Sequence, residues 1–69
     1  MMHVSMHVRV NHPPKELEIP GPKRVREVLR ELGLIPEAYL VIRNDELVTE
    51  DEILRDTDII DIRPVISGG

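Results

Sequence analysis

Apolar and polar residues alternate along the first ten positions of the chain. The apolar set occupies every second position and comprises Met2, Val4, Met6, Val8 and Val10. A period of two residues is typical of a strand with one buried face, so we predict a strand over residues 2–10. A shorter alternation around Leu17 and Ile19 follows the proline-containing break at residues 11–14. It predicts a second strand that returns along the first as a hairpin.

The next apolar residues recur with the spacing of a helix. One stripe at positions i, i+3, i+4 and i+7 is formed by Val25, Val28, Leu29 and Leu32. Pro20 and Pro22 come just before it, and proline is tolerated in the first turn of a helix because its missing N–H would have no partner there. Gly33 stands where a left-handed residue commonly ends a helix. We therefore predict one helix over residues 23–32.

The second half of the chain predicts three more short strands. Residues 38–42 are apolar on both faces, which indicates a strand between two others. A turn at residues 43–46 follows, and its central Asn44 and Asp45 both tolerate positive φ before the short strand at residues 47–48. The spacing of Thr49 and Glu52 is that of a capping box and predicts one helical turn over residues 49–54. Ile59, Ile60 and Ile62 form the last strand.

These elements together define a fold class. A hairpin, one helix and three further strands can bury their apolar faces in one mixed sheet with the helix across one side. This is the α+β arrangement called the β-grasp or ubiquitin-like fold, with four to five strands and one main helix. We predict a single domain over residues 1–66, followed by a flexible tail over residues 67–69.

Composition and charge exclude several classes of function. Thirteen acidic against nine basic residues give a net charge of −4, and the only aromatic residue is one Tyr. A direct nucleic-acid partner is therefore not expected, since it would need a cationic surface. The absence of cysteine excludes disulfides, thiolate metal sites and a cysteine nucleophile. No apolar run is long enough for a signal peptide or a membrane span, so we expect a soluble, cytoplasmic protein with no membrane partner.

The polar residues offer no convincing metal or cofactor site. His3 and His7 share a strand face but lie about 13 Å apart along it, too far to bind one metal ion. Glu50, Asp51 and Glu52 lack the ligand spacing and the glycine of a calcium loop. We therefore predict no bound metal and no bound cofactor.

The last residues, Ser67-Gly68-Gly69, raise a different possibility. Glycine has no side chain, so any chemistry at this end must use the backbone and the terminal carboxylate. The alternative is a frayed end, because short polar or glycine tails are common.

A docking surface is predicted beside the tail. If Ile60 and Ile62 face the helix, then Ile59, Asp61, Arg63 and Val65 lie on the other face of the sheet. We expect Tyr39, Val41, Arg43 and Arg9 to lie near them on neighbouring strands. The predicted partner-binding residues are Arg43, Ile59, Arg63, Val65 and Ile66. The alternative is that a small sheet simply leaves some aliphatic side chains exposed.

Four features together resemble a known family. They are the order of the elements, the turn and strand at residues 43–48, the approach to the last strand at residues 56–60, and the ending Val65-Ile66-Ser67-Gly68-Gly69. The family is that of the ubiquitin-like sulfur carriers, which includes the thiamine-biosynthesis carrier ThiS and the small subunit of molybdopterin synthase, MoaD. The resemblance covers nearly the whole chain.

The resemblance implies a carrier protein that is a substrate of its partners and not itself an enzyme. An E1-like adenylating enzyme, which binds ATP and magnesium, would adenylate the carboxylate of Gly69, and sulfur would convert it to a thiocarboxylate. Ser67 and Gly68 would thread into the partner because they are small. The sulfur acceptor would be thiazole synthase, the large subunit of molybdopterin synthase or a tRNA-thiolating enzyme. Two alternatives stay open: a modifier joined through Gly69 to target lysines, and a plain β-grasp interaction domain.

Overall fold

The computed structural model describes residues 5–11 and 14–65. Its strands are β1 (Met6–Asn11), β2 (Pro14–Ile19), β3 (Lys23–Arg24), β4 (Tyr39–Arg43), β5 (Glu46–Val48), β6 (Ile53–Leu54) and β7 (Ile59–Pro64). One α-helix, α1 (Val25–Glu31), and one 3₁₀ turn (Pro36–Ala38) complete the described elements. No helix among them is long and apolar enough to cross a membrane.

Five of these strands form one mixed sheet in the order β2-β1-β7-β4-β5. The last strand, β7, lies at its centre, parallel to β1 and antiparallel to β4. The hairpin predicted for the first two strands is confirmed, with β1 and β2 antiparallel. The prediction that the strand over residues 38–42 has neighbours on both sides is also confirmed, because β4 pairs with both β7 and β5.

The core lies between α1 and one face of the sheet. Its buried residues are Met6, Val8, Val10, Ile19, Val25, Val28, Leu29, Val41, Val48, Leu54, Ile60 and Ile62. All are aliphatic or methionine, and no buried polar or charged residue occurs among the described ones. Burying such side chains supplies most of the favourable free energy of folding. A mixed sheet with one helix on one face is the β-grasp fold that the pattern predicted.

The helix is shorter than its predicted range of residues 23–32. Lys23 and Arg24 form β3, and Leu32 is the residue that ends the helix. The helix begins at Val25 because the carboxylate of Glu27 accepts a hydrogen bond from the backbone N–H of Arg24, at 2.8 Å, as in a capping box. Gly33 follows with φ of 74°, which confirms its predicted left-handed conformation.

The predicted helical turn over residues 49–54 is wrong. Thr49 and Glu52 do make a local turn, in which the N–H of Glu52 donates to the carbonyl of Thr49 at 3.2 Å. The chain then continues as β6, whose Ile53 and Leu54 pair with β3 as a two-stranded ribbon. Burial of Leu54 and this pairing outweigh the weak local preference for a helix.

Candidate functional site

The face of the sheet opposite α1, here called the open face, carries no covering element among the described residues. Because Val8, Ile60 and Ile62 point into the core, the alternate residues of the strands point to the open face. The strand register places Ile42 beside Asp61 on one side and beside Leu47 on the other. It also places Leu40 beside Arg63 and Ile59 beside His7.

Four aliphatic side chains on the open face form what we call the apolar patch, consisting of Leu40, Ile42, Leu47 and Ile59. Ile59 and Leu47 are each 64% exposed, Leu40 is 43% exposed, and Ile42 is half-buried. Contiguous exposed apolar side chains on a small domain are typical of a protein-binding surface. Ile59 was predicted from the sequence, whereas the other three were not.

Charged side chains surround the apolar patch, and most of them are paired. Arg63 lies 3.0 Å from Asp61, and Glu16 lies 3.7 Å from Arg9 and 3.1 Å from the Nε2 atom of His7. The exposed ion pairs Arg63–Asp61 and Arg9–Glu16 contribute little to stability. They leave the rim of the patch close to electrically neutral, so that an incoming partner meets an apolar centre with polar edges, as is usual at protein interfaces.

The predicted placement of Tyr39, Val41 and Arg43 on the open face is wrong. In the register of β4 against β7, Val41 pairs with Ile62 and Arg43 with Ile60, so these side chains lie on the side of α1. Val41 is buried in the core, and Tyr39 packs against it. The guanidinium of Arg43 binds the carbonyl of Ile53 and the carboxylate of Glu52, each at 3.2 Å. Arg43 is therefore not part of the open-face surface.

Asn44 fixes the end of the open face where Ile59 begins β7. Asn44 and Asp45 have φ values of 49° and 74°, as in a type I′ hairpin turn, so the predicted turn is confirmed. The backbone N–H of Asn44 donates to the carbonyl of Ile59 at 3.0 Å, and the N–H of Ile59 donates to Oδ1 of Asn44 at 2.9 Å. The Nδ2 atom of Asn44 donates to Asp58 at 3.0 Å.

We expect Asn44→Ala to lower the free energy of unfolding by about 2 kcal/mol, because it removes two side-chain hydrogen bonds and places a Cβ-bearing residue without polar compensation at positive φ. Asn44→Gly is the matched control, since glycine keeps the turn and loses only the side-chain bonds. It should cost about half as much. Urea denaturation measures both values, and equal losses for alanine and glycine would contradict this account of the turn.

The last described residue, Val65, follows directly after the end of β7. Pro64 ends β7 beside Tyr39 and has no N–H to extend the ladder. The N–H of Val65 donates to the carbonyl of Ala38 at 2.8 Å, and the residue is exposed. The predicted site residues Ile66, Ser67, Gly68 and Gly69 lie outside the described residues.

Among the described residues, no three His, Cys, Asp or Glu side chains come together in a way that could hold a metal ion. His7 interacts with Glu16 on the open face, and its predicted neighbour on the strand, His3, lies outside the described residues. The three acidic residues at 50–52 do not act together: Asp51 pairs with Arg26, and Glu52 with Arg43.

The fold and the open face define a small β-grasp protein with an exposed sheet surface that includes its central strand, β7. The model of the ThiS family matches residues 8–69. The sulfur carrier protein TtuB of Thermus thermophilus is 44% identical over 55 residues, which cover 80% of this chain and 85% of that protein. The chain therefore belongs to the ThiS family of ubiquitin-like sulfur carriers. Proteins of this type are small carriers, not enzymes.

Proposed function

We propose that this protein carries sulfur as a thiocarboxylate on Gly69, after a partner enzyme has activated that carboxylate with ATP. The single observation that best supports the proposal is that the family match extends over residues 8–69 and so includes the sequence Ser67-Gly68-Gly69. Because activation consumes ATP, we also propose that the reaction takes place in the cytoplasm.

The proposed chemistry has two steps. A carboxylate oxygen of Gly69 attacks the α-phosphorus of ATP, pyrophosphate leaves, and an acyl-adenylate forms. Hydrosulfide supplied by the partner system then attacks the carbonyl carbon and displaces AMP, so that its sulfur remains on the carbonyl carbon as the thiocarboxylate. The adenylate is needed because a free carboxylate has no good leaving group. ATP and magnesium would be bound by the partner, since the chain itself supplies only the acyl group.

The tail must reach the partner's nucleotide without unfolding the sheet. Four residues separate Val65 from the far end of Gly69, and an extended chain of that length spans at most about 14 Å. Ser67 and Gly68 suit a narrow channel because small side chains let the partner's backbone approach closely. The described fold is compatible with this role, because β7 ends at Pro64 and the exposed Val65 lies outside the strand, two residues before the tail.

The test of this proposal is incubation of the purified chain with an activating enzyme of the sulfur-carrier type, ATP, magnesium and a sulfur donor. We expect pyrophosphate release and a gain in intact mass that corresponds to one oxygen replaced by sulfur. Conjugation of Gly69 to lysines of other proteins, read as glycine-glycine remnants, would instead favour the modifier. If neither product forms, the chain is a plain interaction domain and the proposal fails.

A second set of incubations would identify the enzyme that accepts the sulfur. Thiazole synthase, the large subunit of molybdopterin synthase and a tRNA-thiolating enzyme are the three proposed acceptors. Each enzyme would be mixed with the thiocarboxylate form of the chain. The acceptor is the enzyme whose product gains sulfur while Gly69 returns to a carboxylate.

We further propose that the activating enzyme binds the apolar patch together with Arg63, Val65 and Ile66. The apolar patch supplies the desolvated centre of the interface, and the adjacent start of the tail directs Gly69 into the partner. Arg63 is 58% exposed and held by Asp61, so that it can bind a partner carboxylate with little loss of side-chain freedom.

Ile59→Asp should raise the KM of the activating enzyme for this carrier about tenfold, because a charged side chain would be buried against the partner within the apolar patch. Its effect on kcat should be small, since Ile59 does not touch the reacting atoms. Ile35→Asp is the matched control, because Ile35 is 63% exposed and lies away from the open face. Both substitutions change the net charge by the same amount. Steady-state pyrophosphate release gives the KM of the activating enzyme for each variant. Equal KM values for Ile59→Asp and Ile35→Asp would exclude the apolar patch as the docking surface.

A further inference from the structure

A second surface stands out on the two-stranded ribbon of β3 and β6. Leu54 is fully buried and pairs with Lys23, so the alternate pair, Arg24 and Ile53, points outwards. Ile53 is 40% exposed. A shallow depression at this place is lined by Pro22, Lys23, Arg24, Glu27, Ile53 and Arg55. We call Pro22, Arg24, Ile53 and Arg55 the ribbon patch.

The ribbon patch is cationic in a protein whose net charge is −4. Most of the other cationic side chains are neutralised by ion pairs with carboxylates, namely Arg9, Lys23, Arg26, Arg43 and Arg63. Within residues 5–11 and 14–65, the guanidinium groups of Arg24 and Arg55 have no side-chain carboxylate within 4.0 Å. The guanidinium of Arg24 instead donates to the backbone carbonyl of Asp51 at 2.9 Å. Glu27, the one acid that lines the depression, accepts from the backbone N–H of Arg24. Two further acids next to the patch also bind backbone N–H groups, Asp58 that of Arg55 and Asp56 that of Gly21.

We infer that the ribbon patch binds an acidic segment of a partner protein that carries one apolar side chain between its carboxylates. The apolar side chain would pack on Ile53 and Pro22, and the carboxylates would meet the two guanidinium groups, whose planar donors suit them. A polyphosphate chain fits less well, because it has no apolar group to pack on Ile53 and Pro22.

The position of the ribbon patch gives it a distinct role. Leu54 and α1 lie on the core side of the sheet, whereas the apolar patch lies on the open face. A short acidic segment bound at the ribbon patch therefore leaves the apolar patch free. The carrier can be held by one partner at the ribbon while another partner binds the open face, and this holds whatever chemistry takes place at Gly69.

The experiment is a titration of the ¹⁵N-labelled full chain with the blocked acidic peptide Glu-Asp-Leu-Asp-Glu, followed by amide chemical shifts. We expect shifts at residues 23–24 and 53–55 and none on the open face. The double variant Arg24→Glu/Arg55→Glu should weaken binding at least about tenfold, since two ion pairs become repulsive. Arg30→Glu is the matched control, because Arg30 is an exposed arginine of α1 without an ion pair among the described residues, and it should leave binding unchanged.

A second measurement does not depend on whether the double variant folds. The basic peptide Lys-Lys-Leu-Lys-Lys, added to the unchanged chain, should leave residues 23–24 and 53–55 unshifted. The inference is overturned if both peptides shift these residues equally, if the acidic peptide shifts none of them or binds the open face, or if the double variant binds as tightly as the unchanged chain. Tighter binding of bulk tRNA than of the acidic peptide at these residues would overturn it too.

Discussion

Deletion of Gly69 is expected to abolish activation of the carrier, with pyrophosphate release at least about a thousandfold slower than for the full chain. The shortened tail presents its carboxylate about 3.4 Å short of the α-phosphorus, and group-transfer reactions lose rate steeply when the reacting atoms are misplaced by even 1 Å. The stability of the body should not change, because β7 ends five residues earlier, at Pro64.

The control for this deletion keeps the length of the tail. Ser67→Ala retains three small residues at the end, so it should be activated at a rate close to that of the unchanged chain. The thermal unfolding transitions of the full chain, the Gly69 deletion and Ser67→Ala should coincide. This comparison separates a loss of activation from a loss of folded structure. Undiminished pyrophosphate release without Gly69 would show that the activated group lies elsewhere.

Ile60→Ala is expected to produce the largest loss of stability. Ile60 is fully buried on the central strand, and truncating such a residue costs about 2 to 5 kcal/mol, from lost apolar burial and from the cavity left behind. A chain of this length has a total stability of about 3 to 10 kcal/mol, so a large share of it would be lost. The measurement is the free energy of unfolding from urea denaturation.

The neighbouring residue provides a control with the same chemical change. Ile59 is 64% exposed on the open face, so Ile59→Ala should cost less than about 1 kcal/mol. The difference between the losses in free energy of unfolding for Ile60→Ala and Ile59→Ala therefore measures the effect of burial directly. If both substitutions cost the same, the assignment of one to the core and the other to the open face is wrong.

The elements with a clear period could be predicted from the sequence, but the register between them could not. The stripe from Val25 to Leu32 gave the helix, and the alternation around Val8 gave the first strand. Residues 38–42 are apolar at every position, so their pattern does not say which side chains face the core. Only pairing with β7, which sets Val41 beside Ile62, decides this, and the predicted open-face residue Arg43 was wrong for that reason.

The ribbon of β3 and β6 shows a second limit of local patterns. Thr49 and Glu52 have the spacing of a capping box, and that spacing is equally compatible with the tight turn that forms. Ile53 pairs with Arg24, which lies 29 residues earlier, and such a contact leaves no trace in a short window of sequence. Long-range pairing decides between two local structures of similar free energy.

The candidate site was predictable in part. Ile59 and Arg63 follow from the alternation of the last strand once Ile60 and Ile62 are assigned to the core. The strand order, which cannot be read from the sequence, is what places Leu40, Ile42 and Leu47 on the same face. The asparagine at position 44 was recognised as a turn residue, but its side-chain bonds to the start of β7 depend on the folded position of Ile59.

The single tyrosine gives this protein a built-in optical reporter. Tyr39 lies beside Pro64, packs partly against the core and follows Ala38, whose carbonyl receives the hydrogen bond of Val65. The chain contains no Trp or Phe, so all of its aromatic emission comes from this position. Quenching of that emission, or transfer of its energy to a tryptophan of a bound enzyme, would register contacts at the base of the tail without any attached label.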